Sequence, residues 1–394
     1  MDEKQAARER LDGYRERLIE LSHRIHANPE LAFQEVQASA WLAETLSEAG
    51  FAVERGVCEL PTAFVARAGS GPLHVAICAE YDSLPGIGHA CGHNIIATAG
   101  AGAGLAAASV ADELGLTVSV IGTPAEEGGG GKILLLERGA FDGVHAAMMV
   151  HPAPADVAEP PVIAVQHFEV RYTGKEAHAS SYPEDGINAA DALTVAQVAI
   201  GLLRQHIRQT DRIHGIVTKG GDAPNVVPAH TSARYYVRAK RLDQLDEIRA
   251  KVNRCFEAGA LATGATLEIS EVEQPYAHME HDTELAALYK RNAEELGRRF
   301  PDFGSALARW AGSTDMGNIS LAMPAIHPMI GINSWPAGNH QPEFTEQCAT
   351  AAADQAVYDG ALAMAWTAID MAIDDHIRER LLRGAPATYA RAPS

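Results

Sequence analysis

The apolar residues of the first part of the chain recur mainly at helical spacing. Residues 18–25 carry leucine and isoleucine on one helical face, and Pro29 ends that run. A second helix is predicted over 35–49, where a glycine follows as the stop. Further helices are predicted at 95–114 and 132–138.

Three short apolar runs predict buried strands, at 73–78, 116–121 and 146–150. Because these strands alternate with helices, we expect an α/β fold with a mostly parallel sheet that helices cover on both faces. Ligands bind beyond the carboxyl ends of the strands in such sheets. The polar residues that follow each run therefore mark the expected active site.

The pattern changes near residue 165. Strands in which apolar and polar residues alternate are predicted at 168–172, 233–240 and 266–272. Amphipathic helices are predicted between them, at 193–207 and 242–262. This run predicts a separate α+β domain over 165–276. It is inserted into a catalytic domain that consists of 1–164 and 277–394.

Composition narrows the class of protein. Lys and Arg total 32 against 51 Asp and Glu, a net charge of −19, which should repel nucleic acid and anionic membranes. Five irregularly spaced cysteines argue against a disulfide framework and for a reducing compartment. The polar N-terminus shows no signal peptide, so we expect a cytoplasmic protein. The least polar stretch, 95–111, is too short for a membrane span and predicts a buried helix.

The segment His-Ala-Cys-Gly-His-Asn at 89–94 is the strongest local cluster of metal-binding residue types. Cys91 and His93 are two residues apart and project to the same side of an extended segment. Thiolate and imidazole both bind borderline divalent metals well. A buried structural cysteine beside a capping histidine is the alternative interpretation.

A second cluster pairs Glu126 with Glu127 in an irregular loop. Adjacent carboxylates in a loop point in different directions, so one can bind a metal while its neighbour faces a water as general base. A solvated acidic loop is the alternative.

Two glycine-rich segments resemble nucleotide-binding loops only superficially. Lys132 follows the glycines at 128–131, but the next residue is Ile133, where a Walker A loop needs Ser or Thr. The glycines between 100 and 104 lie inside a predicted helix and lack the dinucleotide spacing. Close helix packing explains them better.

Two further histidines lie in suitable places. His151 follows the third strand and precedes a proline, and His340 lies in the segment Gly-Asn-His-Gln-Pro-Glu-Phe at 338–344. A single histidine is usually a surface or capped residue. The convergence of three strand-end clusters with a late histidine favours a metal site instead.

Taken in order, these motifs resemble the M20 metallopeptidase family, in particular its amidohydrolase branch. The matching features are an Asp after the first strand, His-Ala-Cys-Gly-His, Glu-Glu-Gly-Gly-Gly-Gly, His-Pro after the third strand, Gly-Lys-Glu-Ala-His-Ala-Ser at 174–180 and a late His before Pro and Phe. Segments 79–89 and 313–318 are most similar to the p-aminobenzoyl-glutamate and dipeptide hydrolase subgroup. Asn94 stands where many members of the branch carry Asp.

The resemblance implies a role for each of these residues. Cys91 would bridge two divalent metal ions as thiolate. The coordination spheres would be completed by His93, Glu127, His151 and His340. Glu126 would be the general base that activates the metal-bound water, and Asp82 would orient the site. The ions would be zinc or manganese, with cobalt or nickel as alternatives.

The resemblance also implies roles for the inserted domain. His178 would reach the active site of a partner subunit and stabilise the oxyanion, which requires a homodimer formed through 165–276. Asn225 and Arg238 would bind substrate. For Arg238, a solvent-facing strand position is the equal alternative to a carboxylate anchor.

The predicted function is that of a two-metal amidohydrolase. It would cleave the amide bond of a small N-acyl amino acid, an aminobenzoyl-glutamate-like compound or a dipeptide through a metal-activated water. A non-catalytic, metal-binding dimeric scaffold is the alternative from another class. A pyridine-nucleotide enzyme is disfavoured because the glycine pattern fails.

Overall fold

A computed structural model describes residues 2–384 of the chain, which divide into two compact units. The larger unit comprises residues 2–161, 279–311 and 315–384. The smaller unit comprises Val162–His278 together with Gly312–Thr314. The sequence pattern did not indicate that the short segment Gly312–Thr314 belongs with the smaller unit.

Both units combine helices with strands. The helices are α1 (Glu3–Asp12), α2 (Arg15–Ala27), α3 (Val36–Glu48), α4 (His93–Ala108), α5 (Ala111–Leu114), α6 (Gly131–Glu137), α7 (Ala189–Leu203), α8 (Leu242–Thr263), α9 (Thr283–Glu295), α10 (Met316–Ala322), α11 (Pro342–Gln347), α12 (Ala351–Ile373) and α13 (Asp375–Arg383). The strands are β1 (Ala52–Arg55), β2 (Phe64–Ala68), β3 (Leu73–Glu80), β4 (Leu116–Thr123), β5 (Ala146–Met148), β6 (His151–Ala153), β7 (Ala164–Thr173), β8 (Arg212–Lys219), β9 (His230–Ala239), β10 (Thr266–Glu271), β11 (Ala325–Ile326) and β12 (Met329–Gly331).

The larger unit is built on a mixed sheet with the strand order β1-β2-β4-β3-β5-β11. Its central pairs β3/β4, β3/β5 and β5/β11 are parallel, whereas β1/β2 and β2/β4 are antiparallel. Strands β3 and β4 are buried along nearly their whole length, as expected where helices cover both faces. The predicted α/β fold with a mostly parallel sheet is confirmed, although β1 and β2 were not anticipated.

Helix α4 passes through the core of this unit and is buried on every side. Its glycines permit the close packing. A Cβ at Gly102 would lie 2.9 Å from Cβ of Ala361 in α12, and one at Gly104 would lie 2.2 Å from Cγ2 of Val120 in β4. The packing role predicted for these glycines is therefore confirmed. The predicted helix over 95–114 is divided into α4 and α5.

The smaller unit has an antiparallel sheet with the order β10-β7-β9-β8. Alternate residues of β7, such as Phe168 and Val170, pack with Ile200 of α7 and Phe256 of α8 in one core. Strand β8 was missed in the sequence because most of its residues are exposed and it has no buried alternation. Helix α7 ends at Leu203, earlier than predicted.

Two expectations from composition can be compared with the structure. All five cysteines are unpaired, as their irregular spacing predicted. Over residues 2–384, no helix combines the length and apolarity that a membrane crossing requires.

Candidate active site

The candidate site lies in the larger unit, where loops follow the carboxyl ends of neighbouring parallel strands. Asp82 comes two residues after β3, and Glu126 and Glu127 follow β4. Cys91 precedes α4, and His93 is its first residue. The structure brings these residues together with His151 of β6 and with His340, which lies in the loop before α11.

Cys91 is buried and faces His151. Its Sγ lies 3.3 Å from Nε2 of that ring, whose Nδ1 lies 2.9 Å from the carbonyl oxygen of Pro152. Gly92 makes this approach feasible. Its φ is 77°, and a Cβ there would lie 2.4 Å from Cγ of Pro152. A glycine is therefore required between the two donors Cys91 and His93.

Asp82 connects two parts of the site. Its Oδ1 lies 2.9 Å from Nδ1 of His93, and its Oδ2 accepts the main-chain N–H of Glu127 at 2.9 Å. Burial disfavours the charged form of Asp82, but the His93 ring and the Glu127 N–H outweigh it and lower the pKa of this carboxyl. Asp82 therefore remains a carboxylate that orients both neighbours.

The other ring nitrogen of His93 faces carboxylates. Nε2 lies 3.4 Å from Oε2 of Glu80, 3.8 Å from Oε1 of Glu127 and 3.9 Å from Oε2 of Glu126. Among residues 2–384 it has no hydrogen-bond partner, although it is fully buried. A buried nitrogen without a partner is costly unless a ligand completes its surroundings.

His340 approaches from a loop with unusual backbone geometry. Its φ is 67°, and its main-chain N–H donates to the carbonyl oxygen of Ala90 at 2.8 Å. This bond holds the imidazole beside the site, with Nε2 3.4 Å from Oε1 of Glu127. The His340 side chain is 56% exposed, so this donor lies at the solvent side of the cluster.

The donors form two groups of three that share one sulfur. Cys91, His93 and His151 form one group, and Cys91, Glu127 and His340 form the other, with the ligand atoms of each group within 4.8 Å of one another. Thiolate, imidazole and carboxylate together suit zinc and related divalent ions. The donor set, and the Nε2 of His93 that has no hydrogen-bond partner among residues 2–384, fit divalent metal ions, which these side chains would hold.

Glu126 lies outside both groups that share Cys91 and belongs, with Glu80 and His93, to a third group of possible donors. Its side chain is nearly buried, beside Glu80, Glu127 and Asp315. Burial and these three carboxylates raise the pKa of Glu126 well above its usual range. A carboxylate with a raised pKa is a stronger base, as proton transfer near neutral pH requires.

Three buried charged residues of the site were not identified from the sequence. Nζ of Lys132 lies 2.7 Å from Oδ1 of Asp315 and also contacts Glu80. The main-chain N–H of Lys132 donates to Oδ2 of Asp315 at 2.9 Å. All three side chains are fully buried. Burial opposes the charge of Lys132, but the two carboxylates raise its pKa well above its usual range. Glu80 lies at the carboxyl end of β3, and this position was the sequence signal that could have identified it as a residue of the site.

Asn94 has a structural environment. Its side-chain amide donates to Oγ of Ser22 and to the carbonyl oxygen of Cys348, both at 2.9 Å. These bonds tie the start of α4 to α2 and to the residue that follows α11. They account for an amide at this position.

The remaining predicted residues lie in the smaller unit. His178 is at a loop that pairs with the loop of Asn225, because the N–H of Ala179 donates to the Asn225 carbonyl oxygen at 3.0 Å. Arg238 is partly buried, and its Nη1 donates to Oγ of Ser313 at 2.8 Å. Its Nε lies 3.4 Å from Nε2 of His214. Burial lowers the pKa of Arg238.

Comparison with known proteins gives concordant matches. The chain is 40% identical over 383 residues to the Xaa-Arg dipeptidase of Mus musculus. The matched region spans 93% of this chain and 88% of that protein. It is 34% identical over 279 residues to a p-aminobenzoyl-glutamate hydrolase subunit of Escherichia coli (strain K12), spanning 66% of this chain and 58% of that protein.

A solved structure shows the same fold. It is that of a Bacillus subtilis protein described as a dinuclear metal-binding peptidase from the M20 family. It matches with a TM-score of 0.70 at 23% identity, over 92% of this chain and 99% of that chain. The pattern of peptidase family M20/M25/M40 itself matches residues 76–358. These matches confirm the resemblance inferred from the motif order and the prediction of a hydrolase that acts on amide bonds. The chain belongs to peptidase family M20/M25/M40.

Proposed function

We propose that this protein is a two-metal amidohydrolase that cleaves the amide bond of a dipeptide or a similar small N-acyl amino acid. The observation that carries the proposal is the pair of three-donor groups that share Cys91, with the buried Glu126 beside them. A scaffold that only bound metal would need no general base, whereas amide hydrolysis does.

The charge of the site supports bound cations. The site contains five carboxylates, namely Glu80, Asp82, Glu126, Glu127 and Asp315, and one buried amine, Lys132, which contacts Glu80 and Asp315. An excess of negative charge inside a protein is costly unless cations balance it. Two divalent ions, held by Cys91, His93, Glu127, His151 and His340, supply that balance. We propose zinc or manganese, with cobalt or nickel as alternatives.

The proton transfers follow from the position of Glu126. When bound, the metal pair lowers the pKa of water and polarises the scissile carbonyl. Glu126 accepts the proton of the attacking water and passes it to the nitrogen of the departing amine. Its raised pKa suits both steps, because the group must gain and lose a proton in each cycle.

Three residues of the smaller unit complete the proposed machinery. The exposed imidazole of His178 donates to the carbonyl oxygen as negative charge develops there. Asn225, on the loop paired with that of His178, contacts the substrate. Arg238 binds the substrate carboxylate, because its partly buried guanidinium contacts Ser313 and His214 and forms no ion pair with any carboxylate of residues 2–384.

A homodimer formed through the smaller unit would deliver His178 to a partner's site. Strand β8 lies at the edge of its sheet, with its outer main-chain groups unpaired by another strand of the described chain. It exposes Ile216 and Val217, and helix α7 of the same unit exposes Val198 and Leu202. Exposed apolar edges of this kind favour pairing with a second copy.

The substrate class follows from the relatives and from Arg238. The relative named Xaa-Arg dipeptidase spans most of this chain, which favours dipeptides with a free carboxylate. The relative named as a p-aminobenzoyl-glutamate hydrolase subunit supports aminobenzoyl-glutamate as a second candidate.

A substrate and metal panel tests the proposal. The metal-free protein would be reloaded with zinc, manganese, cobalt or nickel, then assayed on Xaa-Arg, Xaa-Glu and β-alanyl dipeptides and on aminobenzoyl-glutamate. We expect amide hydrolysis that needs metal and is lost in Glu126→Gln. Stoichiometric metal binding without hydrolysis of any compound would favour the non-catalytic scaffold instead.

A further inference from the structure

Glu35 contacts the loop that carries the proposed base, although it lies far from that loop in sequence. Its side chain is 0% exposed. Oε1 accepts the main-chain N–H of Ala125 at 2.9 Å and that of Phe33 at the same distance. Ala125 directly precedes Glu126, so one carboxylate oxygen ties the N-terminal part of the chain to the base.

The two residues held in this way have strained backbones. Phe33 has a φ of 62° and Ala125 a φ of 59°, in the left-handed region that residues with a Cβ rarely adopt. Such conformations persist only where surrounding contacts enforce them. The Glu35 carboxylate supplies a contact of that kind to both.

Glu35 does not serve as the cap of its own helix. It occupies the N-cap position of α3 but makes no side-chain hydrogen bond there. Glu30 caps α3 instead, because its carboxylate accepts the N–H groups of Gln37 and Ala38 at 2.9–3.0 Å. The Glu35 side chain is therefore committed to the loop that holds Ala125.

A second contact supports the same loop. The ring of Phe33 packs on Gly129, where an added Cβ would lie 2.4 Å from Cε2 of that ring. The main-chain oxygen of Glu30 also accepts the N–H and the hydroxyl of Ser83 at 2.8 and 2.9 Å. Segment 30–35 thus contacts two loops of the site, the loop after β3 that contains Ser83 and the loop after β4 that contains Ala125 and Gly129.

We propose that Glu35 is a positioning residue that fixes the backbone at Ala125 and thereby aims the Glu126 carboxylate for proton transfer. The inference rests on the proposed function, since it assigns Glu126 the role of base. Glu35 acts through the main chain and does not touch the substrate. Either oxygen acceptor, a carboxylate or an amide carbonyl, can hold both N–H groups.

Two variants at this position separate the hydrogen-bond acceptor from the side-chain volume. Glu35→Gln keeps a carbonyl oxygen and should retain the kcat of the wild type. Glu35→Met keeps the volume without the acceptor, and a small displacement of the base should lower kcat by about 100-fold. KM and the metal content measured by elemental analysis should stay unchanged in both.

Glu30→Ala is the matched control. It removes the cap of α3 in the same segment, so it should lower the melting temperature and leave kcat unchanged. An active Glu35→Met variant with full metal content would overturn the proposal. So would a Glu30→Ala variant that loses as much kcat as Glu35→Met, because general weakening of the segment would then explain both.

Hydrogen exchange on the wild-type protein provides a test that needs no variant. The Ala125 amide should exchange slowly, as its bond to the buried Glu35 requires. Exchange at the rate of an open loop would overturn the proposal even if Glu35→Met failed to fold. A wild type that hydrolyses no amide would refute the proposed function. The exchange result would still show whether Glu35 holds the N–H of Ala125.

Discussion

Oδ1 of Asp82 lies 2.9 Å from Nδ1 of His93, in a fully buried pair. A carboxylate at Nδ1 favours the tautomer that carries its proton there, which leaves the lone pair of Nε2 for a metal ion. The other oxygen of Asp82 accepts the N–H of Glu127, so the same side chain orients ligands of both donor groups.

Replacing Asp82 should therefore weaken metal binding without removing a ligand. We expect Asp82→Asn to lower metal affinity by about 10–100-fold, the usual cost of losing such a partner. Titration of the metal-free protein would measure it. Asp211→Asn is the control, because Asp211 is also buried but lies in the smaller unit, where it accepts the N–H of Arg208. Equal affinities of wild type and Asp82→Asn would exclude the orienting role.

The sharing of Cys91 predicts an unequal loss of metal among ligand variants. Cys91→Ala removes a donor from both groups, whereas His340→Ala removes one donor from a single group. Elemental analysis should show Cys91→Ala losing more metal per subunit than His340→Ala. Cys255→Ala, in the smaller unit, should keep the full content. Full occupancy in Cys91→Ala would remove the sulfur from the site.

Glu126→Gln tests the base separately from the ligands. The amide cannot accept the proton of the attacking water, so kcat should fall by about 10²–10⁴-fold. Metal content and melting temperature should stay near those of the wild type, because the five proposed ligands, Cys91, His93, Glu127, His151 and His340, are unchanged. Loss of metal in this variant would instead identify Glu126 as a ligand.

The sequence predicted the features that depend on local order. Hydrophobic runs located β3 and β4, and the polar residues after them met at one edge of the sheet, as parallel strands require. Cys91, His93 and His151 were identified as candidate metal ligands because their residue types favour metal binding and they lie at strand ends or at the start of a helix.

The features that the sequence did not predict depend on distant contacts. Lys132 and Asp315 are 183 positions apart, and the bond from Ala125 to Glu35 spans 90 positions. Neither lysine nor glutamate is expected inside a protein, since burial of an unpaired charge is costly. Only the folded arrangement shows that Lys132 has two carboxylate partners and that Glu35 has two N–H donors.

The half-buried His74 predicts a pH dependence of stability that is unrelated to metal. Its Nε2 lies 2.7 Å from Oγ of Ser119, and burial, with Arg67 and His145, lowers the pKa of His74 to about 4. The unfolded chain takes up this proton from about pH 6.5 downward, and the folded chain does not. The stabilising contribution is therefore complete above about pH 6.5 and declines as pH falls towards 4.

His74→Gln should remove that decline and keep a polar side chain beside Ser119. The difference in unfolding free energy between about pH 7 and about pH 4 should shrink by up to about 3 kcal/mol relative to the wild type. Urea unfolding at a constant metal content would measure it. Identical pH profiles for the two proteins would show that His74 has the same pKa in the folded and the unfolded chain.

Subunit mixing tests whether His178 acts in the site of a partner. The metal donors lie in the larger unit and His178 in the smaller one, and His178 is exposed with small neighbours at Ala177 and Ala179. The Glu126→Gln and His178→Ala proteins should each be inactive. If His178 acts in trans, a mixed dimer has one site with both residues intact.

Mixing the two inactive proteins in equal amounts should then restore about a quarter of the wild-type activity, because half of the dimers are mixed and half of their sites are complete. The matched control mixes Glu126→Gln with His340→Ala. Both of those defects lie in the same unit, so neither site of a mixed dimer is complete and the activity should stay absent. Mass spectrometry of labelled subunits must show exchange in both experiments. Inactivity of the first mixture despite exchange would place His178 in the site of its own subunit or outside the reaction. Activity of the control mixture would show that the recovered activity does not come from His178 acting in trans.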